Sequence, residues 1–134
     1  MDGRALFSDL SAGLGVATTG LDLADGLSVT LAQGLQLDLH LTDAGRRLHC
    51  CATLGRADPD RRLRLLRRLL EANLTPELLA DGHFAFDPIE GEVLLCRSLP
   101  VRDRNPDSAR RALDDLIAVA RAWRARLRAE RLIS

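Results

Sequence analysis

The chain has 134 residues, 46% of them apolar, and a formal charge of zero; that suits one domain with a real core and excludes a disordered polymer. All 19 basic residues are arginine, which excludes lysine Schiff bases and a phosphate-loop lysine, and the charge balance argues against broad nucleic-acid binding. Tyrosine is absent and aromatics reach only 3%, so the core must be aliphatic, built from 28 leucines, with little available for stacking bases or sugars.

Residues 4–14 read as a first helix, with Leu6, Phe7, Leu10 and Leu14 on one face and Gly13 and Gly15 ending it. Residues 17–20 read as a connector. Three alternating strands follow. Leu27, Val29 and Leu31 mark the first; Leu35, Leu37, Leu39 and Leu41 the second; Leu48, Cys50, Ala52 and Leu54 the third. Gln33-Gly34 and Thr42 to Gly45 supply the turns, giving an antiparallel meander with one apolar face.

Asp58 and Pro59 open a central helix, and Pro76 stops it. At 100° per residue, Leu63, Leu66, Leu70 and Leu74 form one stripe, and Leu65, Leu69 and Ala72 a second beside it. The resulting apolar arc is about twice what one buried face requires. It reads as a helix that meets both its own core and another chain; the alternative is a helix sunk wholly in one core.

A short helical turn at Thr75 to Leu79 precedes a second strand pair, His83 to Asp87 and Glu92 to Leu99, joined by Pro-Ile-Glu-Gly. Val93 and Leu95 lie on one side of the last strand and Leu94 and Cys96 on the other, so both faces should be covered. Asn105 and Pro106 start a final helix whose single stripe is Ala109, Ala112, Leu113, Leu116, Ala120, Trp123 and Leu127. The expected fold is α+β over residues 1–134, one domain with an antiparallel sheet, in the order α-βββ-α-ββ-α.

Chemistry is sparse. His40, His49, Cys50, Cys51 and Cys96 are the only soft-ligand group, but neighbouring Cys50 and Cys51 on a strand point to opposite faces and cannot easily share an ion. Buried cysteine as a small apolar filler is the preferred reading, and no metal is expected. Cys96 with His83 and Asp87 lacks any nucleophile motif. Asp58/Asp60 and Asp114/Asp115 sit at helix starts, where the helix dipole accounts for them. Arg110, Arg111, Arg121, Arg126 and Arg128 read as a solvated face. No enzyme, cofactor or nucleic-acid function is expected. An odd cysteine number argues against a disulfide framework and for a reducing compartment. No apolar run reaches membrane-spanning length, and no secretion signal opens the chain. What remains is surplus apolar surface, which points to protein partners.

Three stretches carry a family resemblance: Arg68-Leu-Leu-Glu-Ala-Asn-Leu74, Gly82 with Phe84-Ala-Phe-Asp-Pro88, and Gly91-Glu-Val-Leu-Leu-Cys-Arg-Ser-Leu-Pro100. Together with Ala122-Trp123 in the last helix, they resemble the class I type III secretion chaperones, the Tir-chaperone family. The resemblance implies a cytoplasmic bacterial homodimer linked to virulence. Such a dimer binds the N-terminal region of a secreted effector in extended form, keeps it secretion-competent and needs no nucleotide. A regulatory module of the same fold, sequestering a transcription regulator or anti-activator, is the alternative. Many family members are acidic, whereas this chain is neutral and arginine-rich, so capture by charge alone is not implied. Residue pattern and resemblance together nominate Leu63, Leu66, Leu70, Val93 and Leu95 for the dimer interface. They nominate Leu6, Phe7, Leu10, Leu27, Val29, Leu37 and Leu39 for effector binding.

Overall fold

The computed structural model describes residues 26–101 and 106–134. The helix expected over 4–14, the connector at 17–20 and the Asn105 cap lie outside the described residues. Strand β1 (Leu27–Thr30) leads through a 3-10 turn at Ala32–Gly34 into β2 (Gln36–Thr42), and a tight turn leads into β3 (Arg47–Arg56). Helix α1 (Arg62–Ala72) follows, then β4 (His83–Asp87), β5 (Glu92–Pro100) and helix α2 (Pro106–Ala129). The strands form one antiparallel sheet in the order β1-β2-β3-β5-β4. A three-stranded meander and a hairpin therefore meet at β3 and β5, the longest strands.

Strict alternation in the strands gives the sheet two different faces. Leu37, Ala52, Leu95 and Phe84 form one cross-strand row on the inner face. All four are buried. Helix α2 lies across β3 and β5 on this face and buries Ala109, Ala112, Leu113, Leu116, Ile117, Ala120 and Leu127. Its alanines let the helix approach the sheet closely, while its arginines remain at the surface or the rim. Helix α1 covers β4 with Leu65, Leu69 and Ala72. The outer face carries the other alternate residues: Ser28, Asp38, Cys51, Cys96 and His83 stand in one row across all five strands.

The two helices are tied together at Trp123. Its indole meets Phe84 edge-on at 5.0 Å and is flanked by the guanidinium groups of Arg68 at 4.9 Å and Arg126 at 4.8 Å. Arg68 also pairs with Glu130 at 3.6 Å. Trp123→Ala removes the ring from α1, β4 and α2 together. We expect a loss of about 2–4 kcal/mol in denaturant unfolding, toward the lower end for aromatic truncations because the indole is half-buried.

After α2 the chain turns back. Arg131 is left-handed (φ 60). Leu132 N–H donates to Leu127 O (2.9 Å) and Arg131 N–H to Arg128 O (3.0 Å), which is a Schellman ending. The segment then pairs with the end of β3: Ala57 bridges Ile133, Asp58 N–H donates to Leu132 O (3.0 Å) and Ser134 N–H to Arg56 O (2.9 Å).

Candidate partner-binding surface

Helix α1 starts where the sequence predicts a cap, with one added step. Asp58 Oδ1 accepts from Asp60 N–H at 2.9 Å and caps a 3-10 turn, Pro59–Arg61, that runs into the helix. Its two apolar stripes then separate. Leu65 and Leu69 are sunk in the core, whereas Leu63 is 76% exposed, Leu70 68% and Leu74 81%. Leu66 is partly covered between the two stripes. Leu78 beyond the helix (71% exposed) and Ile89 in the β4–β5 turn (90%) are also bare. Full burial of a leucine is worth about 1.5–3 kcal/mol, so leaving Leu63 and Leu70 on the helix and Leu74 just past its end uncovered forgoes a substantial stabilisation unless a partner covers them. Beside Leu78 a cavity of about 240 Å³ opens between the helices, lined by Arg68, Glu71, Ala72, Thr75, Leu79 and Trp123.

Several nominated residues sit elsewhere. Val93 and Leu95 are 0% exposed. They face Phe86 and Phe84 across the β4–β5 ladder, and the chain's own core encloses them, so their side chains are not free to meet a second chain. The outward residues of β5 are half-buried Leu94 and, next to it, Cys96. Leu27, Val29, Leu37 and Leu39 are likewise core residues and do not line an open groove. Alternation shows that these side chains share a face, and the structure shows that the face is filled. Leu6, Phe7 and Leu10 lie outside the described residues.

The sheet has two edges, and they differ. On β4, Phe84 N–H donates to Asn73 Oδ1 (2.7 Å) and Asn73 Nδ2 donates to Phe84 O (3.1 Å). The Asn73 amide thus imitates one residue of a sixth strand and blocks that edge. On the other side, β1 pairs only with β2 among the described residues. Asn73 was not singled out from sequence, and neither was Ile89, although a large apolar residue within a turn is a readable signal.

The outer face brings together residues that are distant in sequence. Cys51 and Cys96 stand directly opposite on β3 and β5, their sulfurs 2.7 Å apart. His49 Nε2 lies 3.1 Å from Cys51 Sγ, and the His40 ring is 4.9 Å from that of His49. The contact with Cys96 holds the Cys51 thiol below its ordinary value and, with burial, pushes Cys96 up. Burial, then the neighbouring His40 and His83, pushes His49 down. Cys50 points into the core, where burial pushes it up to about 12.

Residues 6–124 match the Tir chaperone protein (CesT) family. The chain belongs to that family. The match spans the sheet, α1 and most of α2, and stops before the returning segment at 132–134. No curated protein matches the sequence. Among solved structures, this Tir-family protein is similar to a chain in the crystal structure of the ExsC–ExsE complex, at 21% identity over 93% of this chain and 96% of that one, with a TM-score of 0.74. It is also similar to a chain of the HopA1–SchA chaperone–effector complex, at 21% identity over 91% and 92%, TM-score 0.71. A third likeness is to the heterodimeric ExoU–SpcU complex from the type III secretion system of Pseudomonas aeruginosa, at 22% identity over 90% and 92%, TM-score 0.65. At these identities the likeness concerns the fold, and the α+β architecture with its antiparallel sheet is shared throughout.

Proposed function

We propose that this Tir-family protein is a type III secretion chaperone that acts in the cytoplasm as a homodimer and holds the N-terminal region of an effector extended and ready for export. The exposed leucine stripe on α1 is the observation that carries this reading. A monomer of this size has no internal use for Leu63, Leu70 and Leu74 in water, and an isologous interface can cover the same stripe on both copies. Leu66, partly covered at the margin of the stripe, completes the seam. Family membership and likeness to structures solved as chaperone–effector complexes support the client.

The mechanism is physical. An unfolded segment offers unpaired backbone donors and acceptors and alternating apolar side chains, and an edge strand such as β1 can pair the first and orient the second. Leu6, Phe7 and Leu10 are the client contacts the sequence nominates from the first helix. Ordering a flexible client costs entropy, which keeps affinity per area modest and allows release. Among the described residues no helix is long and apolar enough to cross a membrane.

The test is co-expression with an effector encoded beside the chaperone gene, followed by light scattering of the purified complex. Two chaperone chains with one client, and a free chaperone near twice 14.7 kDa, are expected. A strict monomer at micromolar concentration that retains no effector N-terminal segment would overturn the reading, and capture of a transcription regulator in place of the effector would redirect it.

A further inference from the structure

We propose that His49, Cys51 and Cys96 form a binding site for a soft divalent metal ion, Zn2+ above all, on the outer face of the sheet. The three donor atoms lie within 4.8 Å of one another and come from the two central strands. Strand geometry explains the convergence. His49 and Cys51 are two apart on β3 and so share a face. Cys96 is the direct cross-strand partner of Cys51. Cys50 takes no part, because its side chain points through the sheet to the core.

The donor chemistry suits zinc. Two thiolates and one imidazole with a fourth position left open is an established ligand pattern for this ion. A tetrahedral site with Zn–S bonds of about 2.3 Å sets its sulfurs roughly 3.8 Å apart. The observed 2.7 Å between sulfurs and 3.1 Å to His49 Nε2 are shorter, so the donors must part by about 1 Å to admit an ion. Cys51 and His49 are half-exposed and supply a path from solvent, while Cys96 is buried at the floor. The next strand presents Asp38 opposite Cys51 and His40 opposite His49. Asp38 is held by Ser28 Oγ at 2.5 Å, and water or one of these groups can complete the coordination. Binding exchanges two thiol protons for one ion and cross-links β3 to β5.

The experiment is anaerobic titration of the reduced, metal-free full chain with Co2+, after a thiol assay confirms three free thiols. We expect a thiolate-to-cobalt charge-transfer band that saturates at one ion per chain and disappears when Zn2+ is added. Cys51→Ser, at a half-exposed position, should abolish the band, and Cys96→Ala should do the same. His49→Asn should weaken binding, and Cys50→Ala should leave the band intact. Circular dichroism of each variant separates a lost ligand from a lost fold. As a readout that needs no variant, Zn2+ should protect Cys51 of the wild-type chain from alkylation. No charge-transfer band in the fully reduced wild-type protein, or a band that survives in folded Cys51→Ser, would overturn the proposal.

Discussion

Leu63→Asp combined with Leu70→Asp is expected to halve the solution mass of the protein while leaving each chain folded. Both side chains are largely exposed on the isolated chain, at 76% and 68%, so aspartate there stays hydrated and costs the protomer only helix propensity, a few tenths of a kcal/mol per site. In a symmetric pair the same change places four carboxylates in an apolar seam, where each would be desolvated or the interface would have to open. Loss of the leucines removes a further ~1.5–3 kcal/mol per buried side chain. Val93→Asp is the contrasting case. Its position is fully enclosed, so the charge is buried in the protomer itself, and unfolding is the expected result, a loss above about 4 kcal/mol. Light scattering with a thermal melt separates the two outcomes. A double variant that keeps its dimer mass would move the seam off α1, with the outer side of β5 around Leu94 the next surface to try.

The second large effect is expected at Asn73. Asn73→Ala strips both hydrogen bonds from the Phe84 backbone, leaving a part-buried N–H and C=O without their partner. Each such group costs about 1–3 kcal/mol, so roughly 2–4 kcal/mol should be lost in total, a fall of about 10 °C in melting temperature for a chain of this size. Asn73→Asp should be destabilised too, because a carboxylate accepts from Phe84 N–H but cannot donate to Phe84 O. Both variants bare the β4 edge, so scattering on heating should rise along with the loss of stability. An unchanged melting temperature in Asn73→Ala would mean that water replaces the amide at no cost and that this edge is not guarded by the side chain.

Much of this architecture was legible in the chain itself. Period-two alternation located the first three strands and the Pro-Ile-Glu-Gly turn the second pair, and the width of the apolar arc on the central helix signalled more apolar surface than one core takes. That the core uses Leu65 and Leu69 and leaves Leu63 and Leu70 bare is settled only by packing. What alternation cannot provide is the identity of the face across the sheet. β5 is apolar on both sides, and only its register against Phe84 and Phe86 decides that Val93 and Leu95 turn inward. The same limit hid the outer-face cluster. Cys50 and Cys51 look unfit to share an ion when only their own strand is considered, and the missing partner, Cys96, arrives from a strand 45 residues away. Asn73 was overlooked for a related reason: its partner, the backbone of Phe84, is brought to it only by the fold.

The pairing of residues 56–58 with residues 132–134 bears on when this protein can become itself. A ribosome releases the end of β3 and the start of α1 long before it releases Leu132 and Ile133, so the nascent sheet waits with an unmade junction for more than half the length of the molecule. Closing so long a loop is entropically costly and tends to be late. A protein whose proposed task is to keep another polypeptide from folding too soon thus reaches its own finished shape only after α2 and the segment behind it have been made.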